Sequence, residues 1–219
     1  MPVTEIACLR LKNTLPLTDP SNETFYTRLQ DGIKAQAEYT NARTHILTQL
    51  EDPSYFYILG RWESLSQHVE EWIPAPKNQD IMAGLAEGIE LVWIQHLDLD
   101  PNPSAAEDGY VIPYNAAVTG IGRCFISPGC KDGFDKTFAA TRHYVKDFKG
   151  PREAVGAWRV DREVDEQGNP KDEFVYFSGW ANIHEHEEFR ESEGFKEFGK
   201  LKQYIETMHV KHAKWEFTA

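Results

Sequence analysis

Two apolar runs divide the chain into halves of the same order. Phe56-Tyr-Ile-Leu-Gly-Arg-Trp62 matches Phe174-Val-Tyr-Phe-Ser-Gly-Trp180, and each closing Trp is followed six residues later by a histidine, His68 and His186. A glutamate follows two residues on, Glu70 and Glu188, so the match holds at an offset of 118. Upstream, Val3-Thr4-Glu5-Ile6 pairs with Val118-Thr119-Gly120-Ile121 at an offset of 115. Between these matches Phe25, Leu29 and Ile33 recur at helical spacing, as Phe134, Phe138 and Thr141 do in the second half. Asp19-Pro20 and Ser127-Pro128 read as helix starts, a capping side chain followed by Pro at the first helical position.

The pattern predicts strands over 3–11, 43–50, 55–62 and 89–97, and again over 118–126, 154–162, 173–181 and 209–217. Helices are expected over 20–39, 64–72 and 76–87, then over 128–145, 183–190 and 192–206. Each half is thus a βαββαβ unit, the ferredoxin-like arrangement. Such a unit covers one sheet face with helices and leaves the other bare, and a bare apolar face must pack on something. Two units on one chain can meet that need by packing face to face. The fold class expected is α+β, with a first repeat over 1–98, a linker over 99–109 and a second repeat over 110–219. Residues 164–171, with Gln167-Gly168-Asn169-Pro170, read as an exposed polar loop.

Composition narrows the partners. The 219 residues carry a net charge of −12, which repels phosphate backbones, so no nucleic-acid partner is expected. No apolar stretch of membrane-spanning length occurs, and no membrane partner is expected. The first residues lack a basic and apolar leader. Three cysteines, Cys8, Cys124 and Cys130, form no C-x-x-C pair, which fits a reducing, cytoplasmic setting. Six tryptophans give the chain material for an aromatic pocket.

The order of elements, with a strand ending in Trp and a helix carrying His (Trp62/His68, Trp180/His186), resembles the dimeric α+β barrel superfamily. Within it the chain looks like a tandem-duplicated antibiotic-biosynthesis-monooxygenase (ABM)-like protein. The resemblance spans nearly the whole chain and implies an intramolecular dimeric α+β barrel. That superfamily includes cofactor-free oxygenases, polyketide cyclases, isomerases, decarboxylases, haem-binding enzymes and proteins of no known activity, so the fold leaves the reaction open.

Two readings of the residues stand side by side. Imidazoles titrate near neutrality, so His68 and His186 are candidate proton-transfer groups; alternatively they sit on solvated helix faces beside acids. Trp62 and Trp180 either wall a pocket or anchor strand to helix. Tyr57, Tyr176, Trp158 and His212 are candidate substrate contacts on elements that wall a barrel. His184, His186 and Glu188 do not share a helix face, and no metal site is expected. Nucleotide, flavin and serine-hydrolase motifs are absent, and no distinctive haem ligand stands out. The expected activity is a small-molecule enzyme without cofactor, a monooxygenase or a cyclase or isomerase of secondary metabolism. Its substrate would be an aromatic or polyketide-like metabolite. The rival is a non-catalytic ligand-binding or stress-responsive barrel protein. A further homodimer is left open. Because the halves differ in their aromatics, one half is expected to hold the cavity and the other to be filled by its own aromatics.

Overall fold

The computed structural model describes residues 1–102, 104, 110–149, 154–164, 168 and 170–219. The chain divides into two compact units, one of Met1–Pro101 with Ala213–Ala219 and one of Asn102–His212.

Unit 1 runs β1 (Val3–Leu11), α1 (Glu23–Thr40), β2 (Thr44–Gln49), β3 (Tyr55–Trp62), a π-helical turn (Gln67–Trp72), α2 (Pro76–Leu85) and β4 (Ile89–Leu97). Its strands lie in the order β4-β1-β3-β2, each pair antiparallel. The side chain of Asp19 accepts a hydrogen bond from Ser21 N, with Pro20 next to it, and starts a short 3-10 turn that feeds α1. Asn41, with φ 49°, ends α1 in the left-handed conformation that Asn tolerates. Leu29 and Ile33 of α1 pack on Ala7, Leu9, Ile46 and Phe56, so the residues on one side of the strands form the core with the helix.

Unit 2 runs β5 (Val118–Ile126), α3 (Lys131–Thr141), α4 (His143–Lys146), β6 (Ala154–Trp158), β7 (Glu173–Trp180), α5 (Ile183–Arg190), α6 (Glu193–Phe198), a 3-10 turn (Gly199–Tyr204) and the start of β8 (Ile205–Thr218). The order β8-β5-β7-β6 repeats that of unit 1. Phe134 and Phe138 of α3 pack on Cys124, Phe174 and Leu201. Both units are therefore mixed α+β, an antiparallel sheet with its helices, in ferredoxin-like strand order.

Several expectations need correction. The closing strand begins at Ile205, because the expected helix over 192–206 stops at Phe198 and tightens into a 3-10 turn. Its last residues, from Ala213, pair with β2 in unit 1: Gln49 faces Ala213 and His45 faces Thr218. The second long helix starts at Lys131 rather than Pro128, since Gly129 takes φ +77° and turns the chain first. The stretch 64–72 winds as a π turn, with Ile73 N bonded to His68 O. Residues 103 and 105–109 of the expected linker, and 165–167 and 169 of the polar loop, lie outside the described residues. The repeat boundaries 1–98 and 110–219 are a proposal about the duplication, which the compact units cut differently at the C-terminal end.

Candidate active site

Each unit builds the same three-ring cluster. At the end of β3, the ring of Trp62 lies parallel to that of His68, 4.1 Å away and 9° from coplanar. His68 Nδ1 is 2.6 Å from Nε2 of His96 on β4. At the end of β7, Trp180 and His186 stack at 4.4 Å and 9°, and His186 Nδ1 is 2.7 Å from Nε2 of His212 on β8. The local sequence accounts for this. A strand ends in Trp, two residues turn the chain, and a helix begins whose first turn lays His on the indole. In unit 2 the Asn182 side chain accepts from Glu185 N, and Glu185 Oε2 accepts from Ala181 N. This reciprocal cap fixes the start of α5 and with it the height of His186.

The two clusters differ at one cross-strand pair. In unit 1 Glu5 of β1 faces Gly60 of β3; in unit 2 the equivalent partners are Gly120 and Ser178. The Glu5 carboxylate is buried, and its Oε2 accepts from Trp62 Nε1 and from Gln36 Nε2, both at 2.8 Å. The same oxygen is 3.9 Å from His68 Nε2. Gly60 leaves room for this arrangement: a Cβ there would meet Gln36 Nε2 at 2.6 Å and Glu5 Oε2 at 3.4 Å, so the two side chains would have to shift. In unit 2 the carboxylate is gone. Trp180 Nε1 donates instead to Ser178 Oγ at 2.9 Å. A Cβ on Gly120 would meet Ser178 Oγ at 2.8 Å.

Next to Gly120 a cavity of about 410 Å³ opens between the sheet and the helices of unit 2. Its floor is Gly120, Gly122 and Cys124 of β5 with Phe174, Tyr176 and Ser178 of β7. Phe134, Phe138, Phe195 and Phe198 wall it, and His186 and His212 face it. Arg190, Lys202 and Glu187 stand at its exposed edge. The volume suits a small ligand, and apolar walls with a few polar groups are the usual make-up of a ligand pocket.

Burial pushes the His186 imidazole down to about 4, with smaller contributions in the same direction from His212 and Arg190. The ring is therefore neutral at pH 7 and able to accept a proton. The Tyr176 hydroxyl is shielded and has no hydrogen-bond partner. Burial raises its pKa, and Ser178, two residues along the same strand face, acts in the opposite direction. Cys124 is pushed up to about 12 by burial and then by Glu173, so it stays a thiol.

The structure brings together His186, Trp180, Tyr176 and His212 of the residues singled out in the sequence. His68 and Trp62 form the matching cluster in unit 1, closed over by Glu5. Tyr57 lies on the other face of β3 from Trp62, holds Gln49 Nε2 at 2.8 Å and leans on Trp93. Trp158 backs the cavity from behind Phe134 and Phe174; its Nε1 donates to Asp135 and Lys131 sits over its ring. Neither lines the cavity. Sequence reasoning missed Gly120 and Ser178. Their signal lies in the mismatches of the repeat, which aligns Gly120 with Glu5 and Ser178 with Gly60. Among the described residues no group of three or more His, Cys, Asp or Glu could hold a metal ion, and no helix is long and apolar enough to cross a membrane.

No protein-family profile matches the chain. No curated protein matches it either. Solved structures do match, over nearly its full length. A protein of Fusobacterium nucleatum named as a candidate monooxygenase is 11% identical, with a TM-score of 0.63, covering 99% of this chain and 93% of that one. An anthrone oxidase-like protein is 11% identical at a TM-score of 0.64, covering 99% and 92%. A chlorite dismutase from Candidatus Nitrospira defluvii, 7% identical at 0.60, covers 99% and 91%. These likenesses establish the fold, the ferredoxin-like α+β architecture of the dimeric barrel type, and leave the activity to the site.

Proposed function

We propose that unit 2 holds the active site of a small-molecule enzyme that works without a prosthetic group on an aromatic or polyketide-like substrate. The observation that carries this reading is the aromatic cavity of about 410 Å³ opening onto the paired imidazoles of His186 and His212. Flat aromatic walls select a planar ligand. A neutral imidazole inside a largely apolar site takes a proton from an acidic carbon or phenol. His212 shares that proton through the Nδ1–Nε2 contact.

Oxygenation is favoured over cyclisation by the names of the similar structures, two of which point to oxygen chemistry on organic substrates. An anthrone-type methylene ketone is the substrate class this suggests. His186 removes a methylene proton to leave an enolate, which dioxygen oxidises. Overall R₂CH₂ and O₂ give R₂C=O and H₂O, with dioxygen as the oxidant. The cytoplasmic setting and any further dimer remain part of the proposal.

The test is oxygen consumption by the purified chain with an anthrone-type ketone, with product identified by mass. The expected result is a stoichiometric quinone-type product, lost in His186→Ala. Turnover that is unchanged in both His186→Ala and His212→Ala would overturn the assignment.

A further inference from the structure

The duplication supplies its own template for the ligand. The registers of β1 on β3 and β5 on β7 make Glu5 equivalent to Gly120 and Gly60 equivalent to Ser178. The carboxylate of Glu5 is therefore replaced, in unit 2, by the Ser178 hydroxyl, which lines the cavity beside Gly120. The Glu5 carboxylate faces donors: Trp62 Nε1, Gln36 Nε2 and, farther off, the imidazole of His68. Around the equivalent space in unit 2 the groups are again donors. Ser178 Oγ has taken over as acceptor for Trp180 Nε1, and the Ser178 O–H remains a donor. The Tyr176 hydroxyl is shielded and unpartnered. His186 stands above, and Arg190 and Lys202 rim the cavity in a chain of net charge −12.

We propose that a negatively charged ligand oxygen takes, in the cavity of unit 2, the part that the Glu5 carboxylate plays in unit 1, held by the hydroxyls of Ser178 and Tyr176 beside His186. This rests on the reading of the cavity as a ligand site and adds what the ligand presents there: the oxygen of an aromatic carboxylate, phenolate or enolate. Shielded hydroxyl donors aimed at developing charge act as an oxyanion hole, so the same two groups stabilise an enolate as it forms. A negative oxygen beside His186 also raises the basicity that burial and Arg190 depress, so the base strengthens when the ligand is in place. Unit 1 then has its site permanently filled by its own side chain, which sets one ligand per chain.

Calorimetric titration tests this with three probes of equal ring size: 2-naphthoate, 2-naphthol and the neutral 2-naphthamide. The wild-type chain is expected to bind one 2-naphthoate, at least ~10-fold more tightly than 2-naphthamide, the scale of a charge-assisted hydrogen bond. If the charge comes from a phenolate instead, 2-naphthol tightens by a similar factor as pH passes its own ionisation. Ser178→Ala and Tyr176→Phe should each reduce the anion preference, the ratio of 2-naphthoate to 2-naphthamide affinity, several-fold. Gly120→Glu combined with Ser178→Gly rebuilds the arrangement of unit 1 and should abolish binding of all three, with unfolding still cooperative. Equal affinity for anionic and neutral probes, or a preference untouched in both hydroxyl variants, overturns the inference but leaves the cavity as a ligand site. Failure of every probe to bind the wild type overturns both.

Discussion

Nδ1 of His186 lies 2.7 Å from Nε2 of His212. Two neutral imidazoles in this contact share one proton, so of their two outer nitrogens one is a donor and the other an acceptor. A proton accepted at one end can leave from the other when the bridging proton shifts. The pair is thus a relay, and it can act at two points of a substrate. The same contact in unit 1, His68 with His96 at 2.6 Å, ends at the Glu5 carboxylate, where unit 2 has Gly120.

That contrast separates the histidines by experiment. His186→Ala should lower turnover by about 10²–10⁴-fold, the scale of a lost general base. His212→Ala should do the same to a lesser degree. His68→Ala should leave turnover nearly intact but destabilise the protein by about 1–3 kcal/mol, since it removes a ring from a buried stack. Steady-state rates and thermal midpoints for these three single variants decide it. A larger loss of turnover in His68→Ala than in His186→Ala would contradict the placement of the site in unit 2.

Stability should be lost as pH falls through a window set by two histidines. His45, buried against Trp215 and bonded to Thr218, is held down to about 4 by burial and then by Arg43; His186 is held at about 4 as well. Their unfolded value is about 6.5. Between these values the unfolded chain binds more protons than the folded one, so stability rises with pH through the window and is lost as pH falls from 6.5 toward 4. Each group contributes a slope of up to about 1.4 kcal/mol per pH unit. Thermal midpoints from pH 5 to 7 should therefore drop toward the acid side, and less steeply in His45→Gln and His186→Gln. The acid limb of turnover should show an apparent pKa below that of free imidazole. A flat midpoint over this range would show that neither ring is held neutral.

Much of this was legible in the sequence because it rests on periodicity and repetition. The Trp-to-His spacing placed both rings, and the order of elements fixed the ferredoxin-like class. What escaped was set by tertiary context. Tyr57 is an aromatic in the right strand, but alternation turns it to the face opposite Trp62. The helix expected over 192–206 carries Phe195 and Phe198 at good spacing, but Ser192 caps a new start and Ile205 is drawn into the sheet. The cavity itself follows from two glycines, and a missing side chain leaves no hydrophobic signal. It becomes visible only when Gly120 is read against Glu5 in the other repeat.

Gly156 of β6 faces Phe174 and Phe138, two walls of the cavity. A Cβ there would meet Phe174 Cε1 at 2.3 Å and Phe138 Cζ at 3.1 Å. Gly156→Ala should push both rings toward the cavity, costing about 1–3 kcal/mol by overpacking and weakening ligand binding. The matching check is a denaturation midpoint together with a binding titration. Full stability with unchanged affinity would mean that the rings have room to retreat.

Glu173 of β7 carries a second kind of constraint. It is buried, and its two oxygens are divided between Arg123 Nε at 2.6 Å and Arg159 Nη1 at 3.1 Å. Arg159 is itself buried and also reaches Asp161 and Glu163. Removing one member of such a network leaves charge without compensation in a site of low polarisability. Glu173→Gln should cost about 3–5 kcal/mol, whereas Glu163→Gln, at the solvent edge of the same network, should cost under about 1 kcal/mol. Equal losses in the two variants would show that the interior ions are no more tightly coupled than surface ones.

The last strand offers the sharpest test of how the chain is shared between units. β8 gives Ile205–His212 to unit 2 and Ala213–Thr218 to unit 1, where it covers the edge of β2. His45 is bonded there to Thr218, Thr48 to Glu216, and Phe217 packs against the unit 1 core. Deleting residues 213–219 leaves His212, and therefore the imidazole pair, in the chain. It uncovers the backbone of β2 and the apolar side chains under Trp215 and Phe217, an exposed edge of the kind that recruits other chains. The truncated protein is expected to lose stability chiefly in unit 1, with faster amide exchange over β2 and β3, and to self-associate. Exchange over β5 and β7 should change far less. If instead β5 and β7 lose protection while β2 keeps it, the seven terminal residues belong to the second repeat in energy as well as in sequence, and the division seen in the fold would be wrong.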